Sequence, residues 1–374
     1  MRLNINNLPI ELVEHIFIFF GKEWHQILMS VCRKWYTILY NWRKRHNIFY
    51  KRFTPLRIIV KRIPLLMWAR QNKCPWNKWI CAEAAKTGNL TVLQWARTNK
   101  CEWDKWTCTD AAHMGHLNVL KWARRNGCEW NVTTCSYAAR RGHLQILKWL
   151  RKNNCPWDKY TCSYAAEMGQ LKVLKWAYKK EAPWDDDVCT FAAKNGHLDV
   201  IKWARKHGCH WNEYVFWTAA RFGHLHIIKW AYLNGCNWDK ETCSFAAESG
   251  YLDVLKWIRA YGCPWDAWTC ALAAKNNHFE ILKWARENGC PWDEWSTAYA
   301  AYKDNLNLLK WLRENGCPWN TMITSYAARA GNFEILKWAY QHGCAINILA
   351  YKYAKQNNHI DIVNWLKNKN LISP

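Results

Sequence analysis

The sequence predicts an all-α protein, in which stacked helix–turn–helix repeats form a solenoid behind a small helical domain. Three observations predict this fold. A tryptophan recurs every 27 residues from Trp68 to Trp365, with no insertion or deletion between its twelve positions. A second tryptophan series keeps the same step, as does a cysteine series from Cys74 to Cys344 in which Ala182 is the one substitute. Each period also contains two segments with helical spacing of apolar residues.

Each 27-residue period is predicted to hold two short helices. The segment DKYTCSYAAEMG is the first, because Asp158 is a good N-cap and Gly169 a good C-terminal stop. The segment HLNVLKWARRNG is the second, since it places Leu117 and Leu120 at helical spacing and ends on Gly127. The connecting GCPWD is too short for a pair of strands. The repeat is therefore a helix–turn–helix unit.

One such unit cannot bury its apolar face alone, so neighbouring units must stack. Equal positions of successive repeats then form ladders along the stack. We expect the tryptophans to be the buried rungs of these ladders, each contributing about 2–3 kcal/mol through buried area. The predicted domains are a helical segment at residues 1–55 and a solenoid of about 11–12 repeats at residues 56–374.

The repeat resembles the ankyrin repeat. The segment AARRGHLQILKWLRKN, residues 138–153, is similar to the family pattern A-A-x-x-G-H-L-x-V-V-x-x-L-L, and the likeness covers about residues 60–370. The period is 27 residues instead of the family's usual 33, and the shortening falls where the family has its β-hairpin finger. Tryptophan- and cysteine-rich units of this length resemble those of ankyrin-repeat proteins in giant DNA viruses and some protists.

The first 55 residues resemble an F-box. They carry Leu-Pro, Glu-Leu and Ile-Phe pairs near the start and VCRKW at residues 31–35. The resemblance implies docking onto a Skp-type adaptor and, through it, onto a cullin ubiquitin ligase. It implies these contact residues: Leu8, Pro9, Leu12, Ile16, Val31 and Trp35. The alternative is a plain N-terminal cap for the solenoid, but apolar residues on more than one face of the segment favour the F-box.

A basic ridge is predicted along the second helices. A lysine precedes the repeating tryptophan and an arginine often follows it by two residues, so the two series share one helix face. Its representative residues are Lys121, Arg124, Lys148, Arg151, Lys202 and Arg205. In ankyrin-type stacks this helix lies on the convex side. The ridge is either a solvated face that keeps the protein soluble or a surface that follows phosphates of nucleic acid or anionic lipid.

A target-binding groove is predicted along the first helices, where residues vary from repeat to repeat. Aromatic side chains at these positions are the type that dominates binding hot spots. The candidate groove residues are Trp106, Tyr160, Tyr214, Trp268 and Trp295. The alternative is that these side chains only pack against a neighbouring helix.

The composition limits where the protein is expected and which chemistry it performs. The net charge of +24 favours an acidic partner. No run of about 20 apolar residues is present, so no membrane span is expected. Glu11 and Glu14 interrupt the apolar N-terminus, so we expect no secretory signal and a cytoplasmic or nuclear protein, in a host cell if viral. Its cysteines should then be reduced.

No catalytic site is expected. Nucleophile-elbow, P-loop, kinase and metalloprotease motifs are not found. Pairs such as Cys101 and Cys108 lack the C-x-x-C spacing of zinc sites, so they are interpreted as small buried side chains. Recurring histidines such as His143 and His224 are interpreted as structural. The protein is thus predicted to need no metal or cofactor and to be a monomeric non-enzyme.

The functional hypothesis from the sequence is a substrate-recruiting subunit of a Skp–cullin–F-box ligase, with an unidentified target in the groove. A second hypothesis is a scaffold or decoy whose residues 1–55 are a cap. A third is an electrostatic nucleic-acid binder that uses the Lys/Arg ridge, for which affinity would fall steeply with salt.

Overall fold

The computed structural model describes residues 60–71, 76–210 and 212–369, and within them it contains 23 α-helices and no strand. The predicted all-α stack of repeats is therefore confirmed for this part of the chain. The predicted F-box-like domain at 1–55 lies outside the described residues and stays a prediction. The chain divides into two compact units, residues 1–165 with 170–184, and residues 166–169 with 185–374.

The first unit is a stack of helix pairs in which even-numbered helices come first in each repeat. Its first helices α2, α4 and α6 pack on one another in series, and the second helices α3, α5 and α7 each pack on their own first helix. The helices are α1 (Ile63–Gln71), α2 (Lys78–Lys86), α3 (Leu90–Thr98), α4 (Lys105–His113), α5 (Leu117–Arg125), α6 (Val132–Arg140), α7 (Leu144–Lys152), α8 (Tyr160–Glu167, of which 166–167 belong to the second unit) and α9 (Leu171–Lys179).

The second unit repeats this arrangement from α10 to α23. Its first helices again pack in series, from α10 to α22. The helices are α10 (Asp187–Lys194), α11 (Leu198–Lys206), α12 (Tyr214–Arg221), α13 (Leu225–Leu233), α14 (Lys240–Ser249), α15 (Leu252–Ala260), α16 (Ala267–Lys275), α17 (Phe279–Glu287), α18 (Glu294–Tyr302), α19 (Leu306–Glu314), α20 (Met322–Ala330), α21 (Phe333–Gln341), α22 (Ile348–Gln356) and α23 (Ile360–Asn368).

The helix ends follow the predicted capping residues. The Asp104 side chain accepts a hydrogen bond from the Trp106 backbone N–H at 3.0 Å and so starts α4. The chain then turns at Gly115, whose φ of 89° is the left-handed conformation that glycine adopts at little cost. Gly127, with φ 83°, ends the following helix α5 in the same way. The 27-residue spacing therefore fixes both turns of each repeat.

The core is built from small residues on the first helices and branched ones on the second. Cys108, Ala111 and Ala112 of α4 are fully buried, and the lack of bulk there allows successive first helices to approach closely. Val119 and Leu120 of α5 fill the space between the two helices and are also fully buried. A fully buried side chain of this size contributes about 1.5–3 kcal/mol.

The tryptophans correct one prediction from the sequence, that of fully buried rungs. Trp103 and Trp122 are half-buried, and the closest ring contacts join unlike positions of the repeat. Trp103 in the turn after α3 meets Trp122 of α5 edge to face, with ring centroids 5.9 Å apart, and Trp130 meets Trp149 at 5.7 Å. The tryptophans therefore lie at the rim of the core, because the alanine and leucine positions already fill its centre.

Two glycines separate the effect of backbone strain from that of steric contact. A Cβ on Gly115 would lie 2.9 Å from the His143 ring, whereas one on Gly127 would meet no atom within 4 Å. Both glycines have positive φ, so alanine costs about 1–2 kcal/mol at either position. We expect Gly115→Ala to lower the urea midpoint of unfolding clearly more than Gly127→Ala. Equal midpoints would contradict the packing of histidine against glycine.

Candidate functional site

The second-helix face is organised by an arginine at each repeat boundary. The Arg97 guanidinium lies 4.1 Å above the Trp103 ring, and its Nη1 donates a hydrogen bond to the Cys101 carbonyl. A guanidinium over an indole is attracted by about 0.5–2 kcal/mol. The same stacking recurs at Arg124–Trp130, Arg151–Trp157, Arg259–Trp265, Arg286–Trp292 and Arg313–Trp319. Where a tyrosine replaces the arginine, Tyr232 stacks on Trp238 at 4.5 Å instead.

The predicted basic ridge therefore contains two kinds of residue. Its arginines have structural partners: Arg124 and Arg151 lie over tryptophans, and Arg205 donates to the Cys209 carbonyl. The lysines point outward, since Lys148 and Lys202 are exposed and Lys121 is half-buried. In the second unit Lys202 lies 6.0 Å from the Trp230 ring centroid. Among the predicted ridge residues of the first unit, Lys121 and Lys148 are thus the cations that remain available to a partner.

A cleft lies beside each of two tryptophan pairs on the second-helix face. In the first unit it measures about 460 Å³ and lies between α3 and α5. In the second unit it measures about 540 Å³ and lies between α19 and α21. The first is lined by Gln94, Arg97, Thr98, Trp103, Trp122 and Asn126. The second is lined by Lys310, Arg313, Glu314, Trp319, Trp338 and His342. These sets occupy the same six repeat positions, so the cleft is a property of the repeat.

Buried cysteines form hydrogen bonds next to the stacked arginines. The Cys128 carbonyl accepts from Arg124 Nη1 at 3.2 Å and from the Cys108 thiol at 3.9 Å, and the Cys128 thiol donates to the Asp104 carbonyl at 3.3 Å. The 16 described cysteines are buried, as predicted, and no disulfide joins any of them. Burial raises the pKa of the Cys236 and Cys317 thiols to about 12, so they stay protonated at neutral pH.

No group of three or more metal-ligating side chains occurs among the described residues. The recurring histidines instead join successive first helices. His143 Nε2 lies 3.1 Å from the His113 carbonyl, to which its N–H donates, and His224 Nε2 lies 3.1 Å from the Lys194 carbonyl. Burial is the main cause that lowers the pKa of His143 and of His224. Their predicted structural role is thereby supported.

The first-helix face of the first unit carries two of the predicted groove residues. The rings of Trp106 and Tyr137 meet edge to face at 6.3 Å, and Tyr137 meets Tyr164 at 6.1 Å. Tyr160 packs beside Tyr164 at 5.8 Å and is exposed. The predicted residues are thus parts of an aromatic row whose inner members are the two tyrosines at 137 and 164.

The second unit brings two predicted groove residues into direct contact. Trp268 and Trp295 stack with centroids 5.8 Å apart and planes at 26°, and Trp268 is 44% exposed. Trp295 also contacts Tyr299 of its own helix and Tyr326 of the next first helix. Tyr214, the remaining candidate, is exposed and packs against Trp217 of its own helix, two repeats before Trp268. The predicted groove residues of this unit therefore pack against other aromatic rings and still keep part of their surface accessible to a partner.

The inner tyrosines of these rows were missed by the sequence reasoning. Tyr164 and Tyr299 stand four residues after Tyr160 and Trp295, and residues four apart lie on the same side of a helix. That spacing was the available signal.

Ion pairs between successive first helices complete the face. Glu248 of α14 is only 18% exposed and pairs with Arg221 of α12 at 3.2 Å and with Lys275 of α16 at 3.7 Å. Glu167 pairs in the same way with Lys194 at 2.9 Å. These charges have partners within the protein, so the aromatic side chains are the more accessible recognition groups on this face.

Comparisons with known proteins identify the type of repeat. Residues 108–151 match the family model described as ankyrin repeats (many copies), so the chain carries ankyrin repeats. The human ASB11 ankyrin repeat domain is similar in structure, with 17% identity over 42% of this chain and 84% of that chain and a TM-score of 0.35. A search of curated proteins gave no match. Among the described residues, no helix is long and apolar enough to cross a bilayer.

The contacts between recurring histidines and backbone carbonyls predict that the protein loses stability in acid. The pKa of His143 is lowered in the folded protein, so below its ordinary value of about 6.5 the unfolded chain takes up a proton that the folded chain does not. We expect the thermal midpoint to fall between about pH 7.5 and 5.5. Gln170 occupies the corresponding position of the next repeat, so His143→Gln is the matched variant and should flatten this fall. A midpoint that rises on acidification would contradict the assignment.

Proposed function

We propose that the chain is an adaptor that recruits a target protein to a ubiquitin ligase of the Skp–cullin–F-box type. Ankyrin repeats imply a protein-interaction role, and they support this part of the proposal directly. The ligase part rests on the resemblance of residues 1–55 to an F-box, through Leu8, Pro9 and the VCRKW segment. An adaptor of this kind makes no bond itself, because it raises the effective concentration of target and ligase near each other.

The aromatic cluster of the second unit is the observation that supports target binding most strongly. Trp268, Trp295, Tyr299 and Tyr326 lie on consecutive first helices, and the stacked tryptophan pair remains accessible. Rigid aromatic side chains at the centre of a surface give large binding energies because they bury much area at a small entropy cost. Tyr302, 38% exposed and 6.0 Å from the Tyr326 ring, extends the cluster.

The two halves of this proposal can be tested separately with the full chain. We expect Leu8→Ala with Pro9→Ala to abolish co-purification with a Skp-type adaptor and to leave target capture unchanged. We expect Trp268→Ala with Trp295→Ala to do the reverse, because the side chains that bind each partner are far apart in sequence. Each double variant is therefore the control for the other.

Adaptor binding that survives the Leu8 and Pro9 changes would refute the ligase role. Target capture that survives the tryptophan changes would refute the first-helix face as the binding surface. Circular dichroism checks that each variant keeps its helical content, since both tryptophans also contact neighbouring rings.

A further inference from the structure

The basic residues of the second-helix face are distributed unevenly. Helices α5, α7 and α9 of the first unit have the sequences LNVLKWARR, LQILKWLRK and LKVLKWAYK, which contain nine cations and no carboxylate. In the second unit, six of the seven described second helices carry a carboxylate, namely Asp199, Asp253, Glu280, Glu314, Glu334 and Asp361. Three adjacent helices of the first unit therefore form an uncompensated basic surface, which we call the α5–α7–α9 surface.

Seven of the nine cations of this surface have no partner within the described part of the chain. Apart from Arg124 and Arg151, which lie over tryptophans, their side chains make no hydrogen bond, ion pair or ring contact within the described part of the chain. Lys148 and Lys175 are exposed. Glu129 and Glu181, in the turns after α5 and α9, form no ion pair with them. Like charges so arranged repel one another, and a polyanion that binds there would remove that repulsion.

The tryptophan contacts place these three helices side by side. Trp130 in the turn after α5 meets Trp149 of α7, and Trp157 in the turn after α7 meets Trp176 of α9. Lys121, Lys148 and Lys175 occupy the fifth position of their helices, directly before the second-helix tryptophan. At about 10 Å between packed helices, they form a regular line of charges.

Aromatic rings lie between the charges. A half-buried tryptophan follows each of these lysines and contacts the tryptophan of the preceding turn. The first of these ring pairs, Trp103 with Trp122, walls the cleft between α3 and α5. A positively charged track interleaved with aromatic rings suits a single-stranded nucleic acid, whose phosphates follow the cations while unpaired bases contact the rings. Paired bases of a duplex could not reach the rings, and a flat anionic membrane would use the charges alone.

We propose that the α5–α7–α9 surface binds single-stranded nucleic acid, with Lys121, Lys148 and Lys175 as the phosphate contacts. The surface lies on the second helices, so this binding is independent of the adaptor role assigned to the first-helix face. It differs from a general basic ridge, because the arginines are held by tryptophans and the second unit is compensated by carboxylates.

The test compares two triple charge reversals in the full chain. One is Lys121→Glu with Lys148→Glu and Lys175→Glu. The matched control is Lys202→Glu with Lys229→Glu and Lys256→Glu, which changes the same repeat position on three consecutive second helices of the second unit. Binding of a labelled DNA strand of about 20 nucleotides is followed by fluorescence anisotropy at about 50 to 200 mM salt.

We expect the first reversal to weaken binding at least about ten-fold and to reduce the slope of log affinity against log salt by about 2, which is about 0.7 for each of the three phosphates that a lysine no longer neutralises. The control should weaken binding by less than about three-fold, because its three lysines are not part of the α5–α7–α9 surface. Circular dichroism of both variants should match that of the unchanged protein, because the substituted side chains are exposed or half-buried.

Several results would overturn the proposal. One is that the unchanged protein does not bind the strand at about 50 mM salt. Another is that the two variants weaken binding equally, which would indicate that binding responds to net charge alone. A strand of abasic nucleotides that binds as tightly would show that the rings hold no bases. Tighter binding of the corresponding duplex, or of vesicles with one part phosphatidylserine to three parts phosphatidylcholine, would identify a different polyanion.

Discussion

The fold depends on the contact between an arginine at the end of one second helix and the tryptophan six residues later in the turn. The arginine also donates to the cysteine carbonyl between them, as Arg124 does to Cys128 while lying over Trp130. The same tryptophan then meets Trp149 of the next second helix. The arginine thus fixes the turn against the end of its own helix, and the tryptophan of that turn contacts the next second helix.

This constraint explains why the period never varies. Where the residues occur, successive repeats are joined by partners at fixed separations: six residues for arginine and tryptophan, 19 for the two tryptophans, and 30 for histidine and carbonyl. One residue inserted between Arg124 and Trp130, for example, would change both the six-residue and the 30-residue separation. The compact turn also takes the position of the hairpin finger that the ankyrin resemblance implies, and the described residues contain no strand there.

Helix ends, which depend on local residues, could be predicted from the sequence. Side-chain burial and stacking, which depend on contacts between repeats, could not. Asp104 and Gly115 act as the cap and stop that their repeat positions predict, so the helix bounds agree to within about two residues. The burial of Trp122 was overestimated, because its periodicity shows that it faces a neighbour but not how much space remains there. The stacking of Arg124 on Trp130 crosses a glycine turn, to which helical spacing does not apply. Of the candidate site, the pairing of Trp268 with Trp295 follows from the repeat register, whereas the separation of lysines from arginines on the basic ridge does not.

Two faces with different chemistry result from one repeated unit. The first helices present aromatic rows, with charges already paired as in Glu248 with Arg221 and Lys275. The second helices present lysines whose arginine neighbours are engaged in structure. Because the repeat register holds packing residues constant, variation is left to the positions that face outward, and this variation distinguishes one part of the stack from another.

A double-mutant cycle on Arg124 and Trp130 tests the central contact most directly. Arg124→Gln and Trp130→Leu are made singly and together, and the free energy of unfolding of each protein is measured in urea. Stacking of the guanidinium on the indole predicts a coupling of about 0.5–2 kcal/mol between the two substitutions. Strictly additive effects would show that the two side chains do not interact and would contradict this explanation of the fixed 27-residue repeat.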